Sequence, residues 1–159
     1  MLKKNICQDI FIENNLLNGN MSSKIKEKIK ELKSTCSFEN GCIIDVFDDI
    51  EIIDNFVTEY GVFVKTQFSI KLFKPVLNEK YSCIVKLIYS QYILCSIFDK
   101  IDVLLDSNNI KTFKFNKASN SFLNIKNNEE EIKVGSTIEI KITIMKFVNQ
   151  KFNCIGTLI

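Results

Sequence analysis

The stretch GVFVKTQFSIKLFKPVLNE, from Gly61 to Glu79, is the most informative part of the sequence. Its apolar residues fall mostly at alternate positions, namely Val62, Val64, Phe68, Ile70 and Leu72. This alternation is the period of a β-strand that buries one face. The alternation breaks near Thr66 and Gln67, and the run is longer than most strands. We therefore expect a long strand with a bulge or bend near Thr66 that serves two sheets.

Pro75, the only proline in the chain, predicts the end of that strand. Proline has no amide hydrogen to donate to a strand ladder, so pairing should stop around residues 73–75. A new sheet is expected to begin near Tyr81. We therefore place a domain boundary in this region, with a first domain at residues 1–78 and a second at residues 79–159.

The composition is that of a globular protein. Of 159 residues, 46% are hydrophobic and 25% are charged, which fits one medium domain or two small ones. No apolar run is long enough to span a membrane, and the first residues become polar too early for a signal peptide. We expect an intracellular protein with no membrane partner. The six cysteines are scattered singly among apolar neighbours, so we expect them to be reduced and to serve as small core residues.

Several kinds of chemistry are missing from the sequence. Histidine, the commonest general base, is absent, and no nucleophile elbow or glycine-rich phosphate loop occurs. No C-x-x-C pair is present to begin a zinc site. We therefore expect no catalysis, no metal and no cofactor. All 21 basic residues are lysines, which attract phosphate as point charges and cannot form the bidentate contacts of arginine.

Two short strands and one helix are predicted before the long strand. Residues 5–12 and 41–47 have the mixed apolar and polar character of strands. Between them, after a turn at residues 18–20, an apolar stripe predicts an amphipathic helix with Met21, Ile25, Ile29 and Leu32 on one face. Candidate N-terminal caps are Asn20, Ser22 and Ser23. The lysines and glutamates between the stripe residues are interpreted as the solvent-exposed face.

The acidic and apolar segment at residues 48–60 joins the second strand to the long one. It is more apolar than a hairpin loop requires, which leaves two interpretations, a packed strand or a loop that meets a partner surface. We expect residues 50–53 to be a packed strand and residues 55–60 to meet a partner. Because aromatic residues dominate interfaces, the expected contact residues are Asn55, Phe56, Val57 and Tyr60.

The second domain is predicted to consist of strands. Short β-rich runs separated by polar turns occur at residues 81–89, 92–98, 101–105, 110–115, 122–125, 138–147 and 151–158. Five main strands, with a glycine turn at Val134 and Gly135, predict a small closed Greek-key barrel of the oligonucleotide-binding type. Asparagine-rich residues 106–110, 116–121 and 127–131 are its expected loops. This half carries 11 lysines and 8 acidic residues, against 10 and 11 in residues 1–78, so its net charge is +3 rather than −1.

The order of these features resembles a known family. The predicted strand, turn and helix, then Ser34-Thr35-Cys36 with Gly41, and finally F-x-I-x-L-F-K-P-x-x-x-E from Phe68 to Glu79, resemble the N-terminal tip domain of the seventh subunit of RNA polymerase II. They also resemble the counterpart of that domain in the stalk of archaeal RNA polymerase. Residues 80–105 are similar to the first barrel strands of that family. Residues 138–158, ending F-N-C-I-G-T-L, are similar to its closing hairpin, F-A-I-G-S-L.

The resemblance covers nearly the whole chain and implies an α+β fold. An RNP-like tip domain of antiparallel strands plus one helix would precede an S1/OB-type β-barrel. The implied function is that of a non-catalytic stalk subunit of a DNA-directed RNA polymerase. Such a subunit docks on the polymerase core through the tip domain, pairs with a smaller helical partner subunit, and contacts nascent single-stranded RNA through the barrel.

The expected RNA contacts combine aromatic rings, which stack on bases, with lysines, which attract phosphates. They are Lys86, Tyr89, Tyr92, Lys100, Lys114, Lys146 and Lys151. The alternative is that the tyrosines pack into the core and that the lysines are only solvated. The sequence also departs from the family, because Leu94 stands where an aromatic residue is usual and Asn78 replaces a glycine before Glu79. These departures weaken the expectation that the barrel surface near Leu94 stacks on RNA.

Two other functions remain open from the sequence. The first is a free-standing S1 or cold-shock-type RNA-binding protein, such as a translation factor or RNA chaperone. The second is a scaffold that has lost RNA binding. The bias toward lysine, isoleucine and asparagine fits an AT-rich source such as a large DNA virus. The expected location is the nucleus for a cellular protein, and the cytoplasmic viral factory or the virion for a viral one.

Overall fold

A computed structural model describes residues 1–17, 19–127 and 129–159. Asn18 and Asn128, for which the sequence predicts a turn and a loop, lie outside the described residues. The described residues form one α-helix, α1 (Met21–Glu31), and 3-10 helices at Asn14–Leu16, Leu32–Ser34 and Ser107–Asn109. The strands are β1 (Leu2–Glu13), β2 (Cys36–Ser37), β3 (Gly41–Val46), β4 (Glu51–Val57), β5 (Gly61–Phe73), β6 (Lys80–Tyr89), β7 (Tyr92–Ile97), β8 (Ile101–Asp106), β9 (Phe113–Asn116), β10 (Ser121–Asn124), β11 (Glu131–Ile132), β12 (Thr137–Val148) and β13 (Lys151–Leu158).

The chain divides into two compact units, Met1–Lys74 and Pro75–Ile159. Residues 75–78, which the sequence analysis placed in the first domain, fall in the second unit. Their backbone is tied to that unit, because the Asn78 amide donates a hydrogen bond to the carbonyl of Ile142 at 2.8 Å. The described chain is therefore mostly β, with a single α-helix in its first unit.

Strand β5 is the centre of the first unit. One edge pairs antiparallel with β1, from Leu2 opposite Leu72 to Glu13 opposite Gly61. The other edge is shared by two strands, since β3 pairs with its C-terminal part and β4 with its N-terminal part. The short β2 extends the sheet beyond β3. The expectation that β5 serves two sheets is therefore wrong, because it serves two strands on one edge of a single sheet.

The expected bulge near Thr66 is also absent from the pairing of β5 with β1, which is continuous. The register shifts occur instead in the partner strands β3 and β4. Thr66 occupies the core-facing position in the alternation and is fully buried. Its hydroxyl donates a hydrogen bond to the carbonyl of Gln8 at 2.9 Å. A satisfied hydroxyl is tolerated in a core, so the apparent break in the pattern is a polar residue that keeps the strand period.

Helix α1 covers the core face of this sheet, as its apolar stripe predicts. Ile25 and Ile29 are buried in one cluster with residues of β1 and β5, namely Ile10, Ile12, Val62, Val64, Phe68, Ile70 and Leu72. Each fully buried aliphatic or aromatic side chain contributes about 1.5–3 kcal/mol, so this cluster holds helix and sheet together. The predicted cap is confirmed at Asn20, whose side-chain oxygen accepts a hydrogen bond from the Ser22 amide at 3.1 Å.

The side chain of Asp49 bonds to the edge of β5 at the point between the end of β3 and the start of β4. The Ser69 amide donates to Oδ1 of Asp49 at 2.9 Å, and the Ser69 hydroxyl donates to Oδ2. The Ser69 carbonyl accepts from the Phe47 amide at 2.9 Å. The hydrogen bonds from Ser69, with a smaller contribution from the charge of Lys3, hold the pKa of Asp49 below its ordinary value. Asp49 thus supplies the acceptor that a continuous neighbouring strand would otherwise provide.

The second unit contains a closed barrel of five strands, which confirms the coarse prediction for this half. Its strand order is β6, β7, β8, β13 and β12, and β12 returns to pair with β6. Neighbouring strands are antiparallel except β8 and β13, which are parallel. The interior is filled by alternate side chains that include Ile93, Ile140 and Phe152. Strands β9, β10 and β11 form a separate three-stranded sheet between β8 and β12 in the chain.

The expectation of six reduced cysteines is wrong for two of them. Cys36 and Cys42 form a disulfide between β2 and β3. These two residues are directly opposite in the ladder, so the turn between the strands brings their side chains together. Of the remaining thiols, Cys7 is exposed, and three are small core residues as expected, namely Cys83, Cys95 and Cys154.

Candidate functional site

The hairpin of β4 and β5 carries apolar side chains on the sheet face opposite α1. Phe63 lies between Phe11 and Phe56, with ring centroids at 4.7 and 4.9 Å, and its ring is stacked on that of Phe56. Gly61 makes this arrangement possible, because a Cβ atom there would collide with the Ile12 carbonyl and come within 2.8 Å of the Phe11 ring. The row of three rings on this face therefore depends on the glycine at position 61.

The predicted docking residues lie together at the end of this hairpin. Phe56 is 59% exposed, Val57 74% and Tyr60 72%, and Asn55 is also exposed. We call Phe56, Val57 and Tyr60 the hairpin surface. The structure places these residues in β4 and its turn, where all three side chains are exposed. Phe56 is opposite Phe63 and Val57 is opposite Val62, so these two neighbouring side chains project from opposite faces of the hairpin.

The turn that carries Tyr60 is held by specific hydrogen bonds. The Thr58 hydroxyl donates to the carbonyl of Gly61 at 2.9 Å. Asn14 donates its side-chain amide to the Glu59 carbonyl at 2.6 Å and its backbone amide to the Tyr60 carbonyl at 3.1 Å. The hairpin surface is thus presented by a fixed backbone, so ordering it costs little entropy when a partner binds.

The prediction for residues 50–53 is only half right. A strand does form, since β4 runs over Glu51–Val57 and pairs with β5. However, Ile52 and Ile53 are exposed, and only Ile50 packs against the core cluster. The reason is that β4 lies on the sheet edge, with a register shift between Ile52 and Asp54 that turns its side chains toward solvent.

A second apolar surface, which sequence reasoning missed, crosses the outside of the barrel. The strand register aligns one outward residue from each of the five strands: Leu87, Leu94, Leu104, Ile155 and Ile144. We call these five residues the barrel belt. Leu87 is 47% exposed and Ile144 48%, and the other three are half-buried. The belt was missed because its members come from five separated strands, and only their pairing brings them into one row.

A shallow groove of about 310 Å³ follows part of the barrel belt. Its apolar lining is provided by Leu94, Leu104, Ile144 and Ile155. A polar row runs beside the belt, where Asp102 is opposite Asn153 and Asn153 is opposite Lys146. The groove therefore combines an aliphatic floor with one acidic and one basic side chain on its rim.

The structure distributes the seven expected RNA contacts over several parts of the second unit. Tyr89 and Tyr92 are cross-strand partners, and their ring centroids are 4.7 Å apart, so each ring packs against the other rather than entering the core. Lys146 lines the barrel groove. Lys151 begins β13 on the same hairpin and is exposed. The strand register places the two tyrosines at one end of the barrel and Lys151 at the other, so the structure does not bring the rings and Lys151 together.

The other three lysines are also dispersed. Lys86 forms an ion pair with Asp99, which reduces its attraction for a phosphate. Lys114 belongs to β9 in the separate three-stranded sheet, where it lines a different groove with Phe115. Lys100 lies in the turn between β7 and β8.

The barrel thiols are not arranged for chemistry. Hydrogen bonding with Cys83 and burial raise the pKa of Cys95, whose thiol donates to the Val103 carbonyl at 3.4 Å. Burial raises the pKa of Cys154 to about 11. Both thiols therefore stay protonated and unreactive at neutral pH. In the part of the chain that the structure describes, no group of three or more potential metal ligands occurs, and no helix is long and apolar enough to cross a membrane.

Comparison with known proteins adds no relative to this picture. No protein-family model matches the chain, and no curated protein matches it significantly. A functional proposal must therefore be built from the two surfaces described above.

Proposed function

We propose that the protein is a non-catalytic stalk subunit of a DNA-directed RNA polymerase. In this proposal the first unit docks on the polymerase core through the hairpin surface, and the barrel contacts emerging RNA. The observation that carries the proposal is the exposure of three apolar side chains, Phe56, Val57 and Tyr60, at the end of one hydrogen-bonded hairpin.

Three large apolar side chains exposed at one hairpin end are more typical of a subunit than of a free-standing protein. Exposed aromatic and aliphatic side chains that are concentrated at one hairpin end often mark an interaction surface, because they bury well against a partner. The fixed turn around Tyr60 lets the hairpin surface bind without first becoming ordered. This favours a subunit of a larger assembly over the free-standing RNA-binding protein.

The architecture of each unit supports the proposal. A sheet covered by one helix fits an RNP-like tip domain, and the five-stranded barrel fits the S1/OB type. The F-K-P-x-x-x-E motif from Phe73 to Glu79 joins the two units, as the family resemblance implies. A smaller helical stalk subunit is the expected second partner.

The proposed RNA contact combines two hairpins at opposite ends of the barrel, so an RNA strand would have to run along the barrel to reach both. Tyr89 and Tyr92 supply rings at the β6–β7 hairpin, and Lys146 and Lys151 supply charge on the β12–β13 hairpin. Leu94 supplies no ring, so base stacking on the strand face is not part of the proposal.

The test is affinity capture of the tagged full-length chain from its source cells, with quantitative mass spectrometry of the captured proteins. We expect polymerase core subunits to be recovered in fixed ratio to the wild-type chain. The double substitution Val57→Ser with Tyr60→Ala should abolish that recovery, whereas the matched substitution Leu2→Ala, at another exposed apolar residue of the first unit, should preserve it. Recovery of RNA without polymerase subunits would instead support the free-standing RNA-binding protein.

A further inference from the structure

The barrel belt is an aliphatic surface with no aromatic ring in it. Leu87, Leu94, Leu104, Ile155 and Ile144 follow one another across neighbouring strands, and all five point outward because the barrel interior takes the alternate positions. Single exposed apolar residues are ordinary on protein surfaces, but a continuous row across a whole barrel is not. A ligand that covers this row must have a complementary apolar surface.

Single-stranded nucleic acid does not meet this requirement. Proteins hold single strands by stacking bases on aromatic rings and by lining the phosphate path with positive charge. The belt offers aliphatic side chains only, and its rim places the carboxylate of Asp102 where a phosphate would be repelled. Lys146 is the single basic residue that lines the groove in the described part of the chain.

The dimensions of the belt match a short helix. Neighbouring strands lie about 4.8 Å apart, so the groove across β7, β8, β13 and β12 spans roughly 14 Å between its outer strands. An α-helix rises about 1.5 Å per residue, so roughly nine to ten residues, or nearly three turns, would cover this distance. An apolar stripe on such a helix would present a side chain to the belt at every turn.

The charges beside the belt define where that helix would carry charged residues. Asp102 and Lys146 are separated by two strand spacings through Asn153, which is roughly 10 Å. Seven residues of α-helix also span roughly 10 Å and return to the same face. A helix that fits would therefore carry a basic residue opposite Asp102 and an acidic residue seven positions away opposite Lys146.

We propose that the barrel belt binds an amphipathic helix of another polypeptide, whose apolar stripe is flanked by a basic and an acidic residue seven positions apart. The described part of this chain cannot supply that helix from a second copy. Its α-helix α1 already buries Ile25 and Ile29 in the first unit's core. The site is distinct from the hairpin surface, and it does not depend on the proposed role in a polymerase.

A peptide selection tests this site directly. A phage-displayed library of random 16-residue peptides is selected on the full-length protein, and binders that also recognise the Leu87→Ser, Ile144→Ser variant are removed. We expect the enriched sequences to have apolar residues at helical spacing. The leading peptide should bind the variant about tenfold more weakly than the wild type. It should bind the matched Ile125→Ser, Val134→Ser variant, which changes two exposed apolar residues outside the belt, as tightly as the wild type.

Reversal of the rim charges provides an independent readout. In the Asp102→Lys, Lys146→Asp variant the leading peptide should bind a few-fold more weakly, and exchanging the peptide's own acidic and basic residues should restore its affinity. Enriched peptides without helical spacing, or equal binding to the belt variant and the wild type, would overturn the proposal. It would also be overturned if no peptide is enriched, or if a 12-nucleotide oligouridine binds the wild type and loses affinity in the belt variant.

Discussion

Substitution of Thr66 tests the arrangement of β5 most sharply. The sequence pattern alone suggests a break at this position, whereas the structure buries Thr66 completely with its hydroxyl bonded to the Gln8 carbonyl. The two descriptions predict different results for a series of three substitutions, Thr66→Val, Thr66→Ser and Thr66→Ala. If Thr66 is a core residue, its methyl and its hydroxyl contribute separately to the free energy of unfolding.

The expected magnitudes follow from those two groups. Thr66→Val removes a hydrogen bond worth about 1 kcal/mol and adds a methyl worth about 0.8 kcal/mol, so the free energy of unfolding should change by less than about 0.5 kcal/mol. Thr66→Ser keeps the bond and loses the methyl, which should cost about 1 kcal/mol. Thr66→Ala loses both and leaves a small cavity, which should cost about 2 kcal/mol.

Equilibrium urea unfolding, followed by circular dichroism, measures these differences as shifts of the midpoint at constant slope. The predicted order of stability is wild type and Thr66→Val together, then Thr66→Ser, then Thr66→Ala. Three variants within about 0.5 kcal/mol of one another would show that Thr66 faces solvent and that the strand does break there. A loss of more than about 2 kcal/mol in Thr66→Val would show that the hydroxyl, not the methyl, is the important group.

Three further outcomes are expected. Hydrogen bonds from Ser69 hold the pKa of Asp49 below its ordinary value of 3.8. The stability that Asp49 contributes is therefore fully present above pH 3.8 and is lost as the pH falls through the lower folded-state pKa. When the free energy of unfolding is measured over this range, the Asp49→Asn variant should not show that loss. Iodoacetamide on the native, unreduced protein should add a single label, at Cys7, by mass spectrometry, and label at the buried thiols would contradict the barrel core. If four phosphates are neutralised, the logarithm of the affinity for oligouridine should fall with the logarithm of the salt concentration at a slope of about −3. The double substitution Lys146→Ala with Lys151→Ala should flatten that slope by about 1.4. An affinity that does not depend on salt would favour a scaffold without RNA binding.

Local patterns were sufficient to predict the elements of the first unit. The helix was predictable because Ile25 and Ile29 are four residues apart and therefore share a face, and its cap because Asn20 has a suitable side chain. The long strand was predictable because its core residues alternate. Each of these features depends on residues within a few positions of each other, where geometry follows directly from the chain.

Features that depend on distant pairing were not predictable. Asp49 and Ser69 are twenty positions apart, and nothing in either segment indicates that a side chain joins β3 and β4 along one edge. The disulfide of Cys36 and Cys42 has no recognised spacing and forms because the two strands pair. Thr66 misled the pattern because a polar residue in a core position looks like a change of register unless its partner is known.

The two candidate surfaces show the same limit. The hairpin surface was predictable, because residues 55–60 are more apolar than a turn requires. The barrel belt was not, since each strand contributes one outward aliphatic residue, which is ordinary by itself. The ion pair of Lys86 with Asp99 was also hidden, because it joins a register shift in β6 to the turn after β7.

The central claim is that the hairpin surface is the contact with the polymerase core, and a crosslinking measurement tests it most directly. The photoreactive amino acid p-benzoylphenylalanine is placed at position 60, or at the control position Ile125, in the full-length chain expressed in its source cells. After irradiation, crosslinked peptides are identified by mass spectrometry. We predict that position 60 crosslinks to a polymerase core subunit and that position 125 does not. Crosslinks to polymerase core from position 125 alone, or none from position 60, would contradict the proposed docking surface.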